Sequence, residues 1–306
     1  MLRDLLELSK ARLCMMVVVT TVVGYLLATV TIDWAVLAAT VVGTTLTAFG
    51  ANALNQYRER DVDRLMERTR ERPLAAGRMA PATALIYGVA VSMIGTFVLL
   101  AFSGWLPAVL AAATVLLYVL VYTPLKRIST INTLIGAVCG AIPPLIGWSA
   151  GTGGLELGGW MLFALLFVWQ MPHFLSLAWM YREDYARGGL RMLPVVDPGG
   201  RLTFPVTVLF AALHLPLGLL VTVAGIAGPW FAVGSLLLGI WWGMLGLRLY
   251  RTQSDRDARR VFLASLAYLP LALMLMVADR GPGRAEDMWL ESSPRTPTVA
   301  VVEETR

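Results

Sequence analysis

Residues 55–74 are rich in side chains that can bind a metal ion and phosphate. Asn55, Glu59 and Asp63 recur every four residues, so a helix through this segment places all three on one face. Carboxylate and amide oxygens are ligands that Mg²⁺ prefers, and Mg²⁺ often shares its coordination shell with substrate phosphates. The row therefore predicts a magnesium site that a phosphate-bearing substrate completes. A solvated, charged helix end is the alternative interpretation.

The same segment carries a second row, which is made of arginines. Arg64, Arg68 and Arg72 follow one another at the same spacing of four residues. A planar guanidinium group donates parallel hydrogen bonds, which suits the oxygens of a diphosphate. We therefore expect Arg68 and Arg72 to bind diphosphate beside the metal. The alternative is that these charges only orient the protein in a membrane.

A second polar segment, residues 181–201, contains further candidates for both roles. Glu183 and Asp184 can add oxygen ligands, and Asp184 is the fourth ligand that we expect for the metal. Arg182 can meet phosphate through its guanidinium group. Lys126 is one of only two lysines in an arginine-rich chain, which favours phosphate contact over simple anchoring at a membrane surface.

The segments that must position these residues are those of a membrane protein. Hydrophobic residues make up 57% of the 306 residues, charged residues make up 15%, and the mean hydropathy is +0.68. A spanning helix needs about 20 mainly apolar residues. Suitable segments lie near residues 13–32, 34–57, 82–102, 105–123, 131–149, 160–180, 202–226, 229–250 and 259–278. We predict an all-α integral membrane protein of nine transmembrane helices.

Basic residues fall almost entirely on one side of this arrangement. The segments on the side of the N-terminus hold 21 of the 25 Lys+Arg, and the opposite connecting loops hold none. The positive-inside rule places the rich side, with residues 58–81 and 181–201, in the cytoplasm. The N-terminus is then inside and the C-terminus outside. The net charge of +5 favours an anionic lipid surface and requires no nucleic-acid partner.

The composition changes near the C-terminus. Residues 279–306 are polar and contain proline, so we expect a disordered tail after a membrane-embedded domain of residues 1–278. The two cysteines, Cys14 and Cys139, both fall in apolar spans. That position argues against a disulfide framework and against a cysteine metal site.

Three strings of the sequence resemble the UbiA superfamily of intramembrane prenyltransferases, and its heme-modifying branch in particular. They are ALNQYRERDVDRLMERTRERPL, YTPLKRISTINTLIGAVCGAIPPLIGW and WQMPHFLSLAWMYREDYARGGLRMLPVV, in this order across residues 53–196. Other members usually carry a D-x-x-x-D row in the second loop, where this chain reads Tyr181-Arg-Glu-Asp-Tyr185. Glu59 likewise stands where Asp is more usual in the first row.

The resemblance implies a bundle of nine helices around a central cavity, and it implies a reaction. A farnesyl group would pass from farnesyl diphosphate to the vinyl group of heme B, giving heme O and diphosphate with Mg²⁺ as cofactor. The catalytic metal ligands would be Asn55, Glu59, Asp63 and Asp184, and the diphosphate ligands Arg68, Arg72, Lys126 and Arg182. The expected setting is the lipid bilayer of a prokaryotic plasma membrane. A downstream heme A synthase or terminal oxidase assembly is the expected partner.

The two histidines receive different interpretations. His173 follows Pro172 inside an apolar span, and the resemblance favours a role in binding heme. An imidazole there can meet heme iron, a heme propionate or a proton in transit. A packed, hydrogen-bonded helix residue is the alternative. His214 has no polar cluster near it in the sequence and is interpreted as structural.

Two alternative functions are compatible with the same residues. One is a UbiA-type enzyme that prenylates an aromatic quinone precursor, since only the acceptor pocket would differ. The other, from a different class, is a transporter of an anionic metabolite, in which intramembrane charge and broken helices also occur. Transporter polar groups tend to lie at mid-membrane, whereas these acids cluster at one surface.

Overall fold

The computed structural model describes residues 2–280, and this part of the chain is almost entirely helical. Within it, nine helices are long and apolar enough to cross a membrane. The first to ninth spans are Ala11–Ala28, Trp34–Asp63, Pro81–Phe102, Trp105–Leu125, Asn132–Thr152, Leu157–Met180, Thr203–Val223, Pro229–Thr252 and Asp255–Ala278. The predicted nine-span, all-α membrane protein is confirmed. The first two residues of the predicted disordered tail, Asp279 and Arg280, are instead packed against the start of the eighth span, where Asp279 Oδ2 accepts from the N–H of Phe231 at 2.7 Å. The rest of the predicted tail, from residue 281 onward, lies outside the described residues.

Two spans are interrupted, and three short helices lie outside the spans. The fourth span consists of Trp105–Leu116, a π-helical turn over Leu117–Tyr122 and the short helix Thr123–Leu125; the fifth consists of Asn132–Ala141 and Pro143–Thr152. The helices outside the spans are Leu2–Leu8, Arg182–Arg187 and Leu193–Val196. Single π turns inside α-helices are frequent at functional sites.

The second span carries the predicted metal row, and it is longer than the sequence indicated. Its start is fixed by Asp33, whose Oδ1 accepts hydrogen bonds from the N–H groups of Ala35 and Val36. The helix continues past the predicted end at residue 57 and runs to Asp63. Its 30 residues extend about 45 Å, against a hydrocarbon core of about 30 Å. The last turns therefore emerge from the hydrocarbon, and the polar row lies there.

Small residues hold the second span against the third. A Cβ atom on Gly50 would overlap Ser92 Oγ, and one on Gly95 would lie 2.6 Å from the carbonyl oxygen of Gly43. Backbones approach this closely only where no side chain intervenes, which is a common means of helix association in membranes. The close contact fixes the direction of the second span, and therefore the position of the polar row on its last turns.

The far end of the bundle is closed by an apolar cluster. Its buried members include Val23 and Leu27 of the first span, Leu165 of the sixth, and Leu269 and Leu273 of the ninth. All lie toward the ends of their spans that are opposite the polar row. The bundle is therefore packed by apolar contacts at one end and holds its charges at the other.

Candidate active site

The predicted metal row lies on one face of the second span and is buried. Asn55, Glu59 and Asp63 are 0%, 7% and 1% exposed. Three cations from other parts of the chain surround the row. We call the inner cluster the six residues Lys10, Asn55, Glu59, Asp63, Arg72 and Lys126. The alternative of a solvated helix end is wrong for Glu59 and Asp63, because both side chains are buried.

Each carboxylate of the inner cluster is paired with one side-chain cation. Lys126 Nζ lies 2.8 Å from Glu59 Oε1. Arg72 Nη1 lies 2.7 Å from Asp63 Oδ1 and 2.8 Å from Asp63 Oδ2. The structure thus brings together three predicted ligands of the metal with two predicted ligands of the diphosphate.

The amide of Asn55 is oriented by the fourth span. Asn55 Nδ2 donates to Thr123 Oγ1 at 3.0 Å, and Thr123 Oγ1 donates in turn to the carbonyl oxygen of Tyr118 at 2.8 Å. Because the single hydroxyl hydrogen of Thr123 is used in this way, the hydroxyl can only accept from Asn55. The carbonyl oxygen of Asn55 therefore faces the cluster, where Lys10 Nζ donates to it at 3.0 Å.

Lys10 is a member of the cluster that the sequence analysis missed. It joins the helix Leu2–Leu8 to the first span with φ 48° and ψ 48°, a left-handed conformation that costs free energy for any residue with a side chain. Gln56 Nε2 holds this joint by donating to the carbonyls of Glu7 and Leu8 at 3.1 and 2.8 Å. The available signal was that Lys10 is the only lysine besides Lys126.

The two lysines differ in their electrostatic surroundings. Burial lowers the pKa of Lys10 to about 7, with the charge of Arg72 acting in the same direction and that of Glu59 opposing it. Burial also acts to lower the pKa of Lys126, but the adjacent Glu59 carboxylate outweighs it and holds that pKa above the ordinary range. Additional negative charge in the cluster would therefore favour the charged form of Lys10.

Two tyrosines of the π-helical turn lie beside the cations. The rings of Tyr118 and Tyr122 stack with their centroids 5.1 Å apart, and Lys126 Nζ lies 4.5 Å from the centroid of Tyr122. The faces of aromatic rings attract cations through their quadrupole. This surface is suited to a carbocation as well as to an ammonium group.

The donor set of the inner cluster fits Mg²⁺ but does not complete its shell. The row offers one amide oxygen and two carboxylates, all of them hard oxygen ligands. Within residues 2–280, no group of three or more His, Cys, Asp or Glu side chains is placed to hold a metal ion. A bound Mg²⁺ would therefore take its remaining ligands from phosphate oxygens and water, as Mg²⁺ commonly does.

Asp184 lies in a different arrangement from the row. Its Oδ1 and Oδ2 accept from the backbone N–H groups of Glu67 and Arg68 at 2.8 and 3.3 Å, and Arg187 Nη2 donates to Oδ1 at 2.7 Å. Burial acts to raise the pKa of Asp184, but these three donors hold it below its usual range. Asp184 therefore ties the second polar segment, residues 181–201, to the segment that follows the second span.

Two of the predicted diphosphate ligands also lie apart from the row. Arg68 stacks on the rings of Tyr181 and Tyr185 at 4.9 and 5.4 Å. Arg182 Nη1 pairs with Asp255 Oδ1 at 2.7 Å. We call the loop cluster the residues Arg68, Tyr181, Arg182, Asp184, Tyr185 and Arg187. All of them except Tyr185 line an open groove of about 540 Å³, and Tyr185 Oη accepts from Arg68 Nη2 at 3.1 Å. The structure does not bring Arg68, Arg182 or Asp184 into contact with Glu59 or Asp63.

The two histidines lie in different surroundings. His173 is half-buried between the sixth and ninth spans, with Nδ1 2.7 Å from Ser265 Oγ. His214 is fully buried, and its Nδ1 donates to the carbonyl of Phe210 at 2.9 Å. The interpretation of His214 as structural fits this placement, since its ring is packed against Trp242 and Tyr268.

Comparison with known proteins decides the family of this arrangement. The model of the UbiA prenyltransferase family matches residues 17–269. The chain belongs to the UbiA prenyltransferase family. A relative named protoheme IX farnesyltransferase from Solibacter usitatus (strain Ellin6076) is 42% identical over 292 residues, covering 92% of this chain and 100% of that protein. The mitochondrial protein of the same name from Homo sapiens is 39% identical over 283 residues, covering 92% of this chain and 63% of that protein.

Solved structures show the same UbiA fold. A structure of digeranylgeranylglyceryl phosphate synthase matches with a TM-score of 0.77 and 18% identity, over 91% of this chain and 98% of that one. A UbiA homolog from Archaeoglobus fulgidus bound to DMAPP and Mg²⁺ matches with a TM-score of 0.68 and 15% identity, over 89% of this chain and 99% of that one. The predicted resemblance to the UbiA superfamily is confirmed.

Proposed function

We propose that this chain is a protoheme IX farnesyltransferase. It transfers the farnesyl group of farnesyl diphosphate to a vinyl group of heme B, giving heme O and diphosphate. The observation that carries the prenyl transfer is the inner cluster: a buried row of three oxygen ligands within reach of three cations, at one end of a UbiA bundle. The relatives of the same name, each about 40% identical, support the choice of reaction.

The residues of the inner cluster hold the diphosphate. Arg72 and Lys126 turn from the carboxylates toward the phosphate oxygens, and Lys10 approaches from the first span. Mg²⁺ held by Asn55, Glu59 and Asp63 would supply the remaining neutralisation of diphosphate charge. The Mg²⁺ in a UbiA homolog of the same fold supports this choice of metal. To join the row as the fourth ligand, Asp184 would first release the backbone N–H groups of the first loop.

The chemistry requires charge neutralisation first and a shielded cation second. The diphosphate leaves as the cations of the inner cluster offset its charge, which is electrostatic stabilisation of a developing anion. The farnesyl cation that remains is stabilised by the ring faces of Tyr118 and Tyr122. The electron-rich vinyl group of heme attacks it, and water adds to the porphyrin-side cation as hydroxide while its proton is released.

The choice of acceptor rests on the relatives. An aromatic quinone precursor would use the same diphosphate site, so the inner cluster does not separate the two acceptors. The protoheme IX farnesyltransferase name of the relatives favours heme. Membership of a prenyltransferase family argues against a transporter of anionic metabolites. Heme extracted from membranes that express this chain should gain a hydroxyethylfarnesyl group, detected by mass spectrometry, and unchanged heme B would contradict the proposal.

We also propose the orientation and setting of the protein. The N-terminus and both clusters face the cytoplasm of a prokaryotic plasma membrane, the C-terminus lies outside, and a heme A synthase or terminal oxidase assembly receives the product. The asymmetry of Lys and Arg between the two sides supports this orientation.

Cysteine labelling tests the orientation. In a background without Cys14 and Cys139, the exposed positions Arg70 and Val30 offer a matched pair on opposite sides of the bundle. An impermeant maleimide added to intact cells should label Val30→Cys and leave Arg70→Cys unlabelled. The reverse pattern would overturn the orientation and leave the proposed reaction untouched.

A further inference from the structure

His173 makes a hydrogen bond that fixes which of its ring nitrogens carries a hydrogen. Ser265 Oγ lies 2.6 Å from the carbonyl oxygen of Phe262, which can only accept, so the single hydroxyl hydrogen is used there. The hydroxyl oxygen can therefore only accept from His173 Nδ1, 2.7 Å away. Nδ1 carries the hydrogen, and a neutral imidazole then has its free lone pair on Nε2.

The Nε2 atom of His173 is available to a ligand. Within residues 2–280 it has no hydrogen-bond partner, yet it is not among the buried polar atoms that lack one. His214 is the informative contrast, because its Nε2 is also without a partner but is sealed in the interior. Of the only two histidines in the chain, one can therefore present a lone pair and the other cannot.

The ring of His173 is held at a fixed angle. Trp169 stacks on it with centroids 4.9 Å apart, and Phe262 lies 4.9 Å away with a tilt of 33°. Trp169 Nε1 donates to the carbonyl of Ser265 at 2.9 Å, so the same serine anchors both rings. A neutral imidazole with Nδ1–H bonded to an acceptor and a free Nε2 is the usual state of a histidine that ligates a metal.

His173 also lies at a useful depth. It is seven residues before the end of the sixth span at Met180, which places it about 10 Å below that end. The inner cluster lies at the same end of the bundle, on the last turns of the second span. His173 therefore lies in the half of the bundle that holds the inner cluster.

We propose that His173 Nε2 is an axial ligand of the heme iron, and that Ser265 positions it. This inference rests on the proposed function in one respect, namely that heme is the acceptor. The iron–imidazole bond fixes the centre of the macrocycle in the bundle, and the fixed imidazole ring sets the direction of the iron–nitrogen bond. Ligation thus sets how deep in the bundle the macrocycle lies. His173 makes no contact with diphosphate.

The test is a spectroscopic titration of the full-length protein with hemin. The protein is purified through a tag without histidines, so that His173 and His214 are the only imidazoles. Absorption and electron paramagnetic resonance spectra of the wild type and of His214→Ala should both show histidine-ligated ferric heme. His173→Ala should lose that signature, and added imidazole should restore it. The affinity of His173→Ala for farnesyl diphosphate should remain within about twofold of wild type.

A second variant separates ligation from folding. Ser265→Ala keeps the ligand but removes the acceptor that sets its tautomer, so hemin affinity should fall by about 10-fold or more, the scale of a lost outer hydrogen bond at a metal ligand. His173→Gln, which keeps volume and polarity, should fold like the wild type and still lack the histidine signature.

The outcomes separate this inference from the proposed function. A histidine signature that persists in His173→Ala or His173→Gln, or that is absent from the wild type, overturns the axial ligand. The mass of the heme product is measured on the same wild-type preparation after farnesyl diphosphate and Mg²⁺ are added. Farnesylated heme without His173 ligation leaves the proposed function standing, whereas His173 ligation without farnesylated heme supports the heme site and rejects the reaction.

Discussion

The inner cluster and the loop cluster each contain a buried aspartate paired with an arginine, yet their carboxylates are used differently. In the inner cluster the carboxylates of Glu59 and Asp63 accept from long side-chain cations that can move to another partner. In the loop cluster both oxygens of Asp184 accept from backbone N–H groups, which cannot move without unfolding the turn. A carboxylate that can exchange its partner is suited to a metal and a substrate, whereas one committed to backbone groups is suited to holding loops.

The largest expected effect is the loss of an exchangeable carboxylate. Asp63→Asn removes the charge but keeps an acceptor for Arg72, so the protein should fold and farnesyl transfer should fall by about 10³-fold, as when a key electrostatic contact is removed. The measurement is heme product by mass spectrometry at saturating Mg²⁺.

Glu183→Gln is the matched control for this carboxylate. It makes the same chemical change at an exposed acid of the second loop and should leave the rate nearly unchanged. Near-normal transfer by folded Asp63→Asn would remove the inner cluster from catalysis.

The next largest effect tests the residue that the sequence analysis missed. Lys10→Met should weaken farnesyl diphosphate binding by about 10- to 100-fold, the equivalent of one charged hydrogen bond. Lys10→Arg should recover part of the loss, and Arg12→Met, two residues away but exposed, should change binding little. The measurement is the KM for farnesyl diphosphate. Equal effects of Lys10→Met and Arg12→Met would show that only general surface charge matters.

A comparison of Lys10 with the metal row shows which parts of the site could be predicted from the sequence. The row at Asn55, Glu59 and Asp63 was predictable because a spacing of four residues is a local property of one helix. Lys10 was not, because its contact with Asn55 spans 45 residues and depends on a left-handed joint. The nine spans were predictable from length and hydropathy, since each must cross the same hydrocarbon thickness.

The arginines were the least predictable part of the site. Arg72 and Arg68 occupy equivalent positions in one sequence row, yet one meets Asp63 and the other stacks on tyrosines from the second loop. Tertiary packing of the loops decides between them, because a long side chain can reach partners in several directions. The sequence likewise could not show that Arg182 pairs with Asp255, at the start of the ninth span, and lies apart from the inner cluster.

A smaller effect is expected from Asp184→Asn in the loop cluster. The amide cannot accept from both backbone N–H groups, so transfer should fall by about 10-fold and the first loop should become more sensitive to protease. Because the pKa of Asp184 lies below its usual range, this contact persists at neutral pH and is lost only as the pH falls through the lowered value. A raised requirement for Mg²⁺, with unchanged protease sensitivity, would instead identify Asp184 as a metal ligand.

The smallest effect concerns the free energy that the left-handed conformation of Lys10 costs the folded protein. Lys10→Ala and Lys10→Gly both lack the ammonium group, but only glycine adopts the left-handed conformation without strain. Lys10→Gly should therefore be more stable than Lys10→Ala by about 1 kcal/mol, measured by denaturation in detergent, while both lose substrate affinity equally. Equal stability would mean that the joint carries no strain.

The most direct test of the account is the binding of farnesyl diphosphate by calorimetry, with and without Mg²⁺, in the absence of heme. The wild type and Asp184→Asn should bind tightly only with Mg²⁺, and Asp63→Asn should bind weakly in both conditions. Mg²⁺-dependent binding that survives in Asp63→Asn but disappears in Asp184→Asn would contradict the account, because it would place the metal and the diphosphate in the loop cluster.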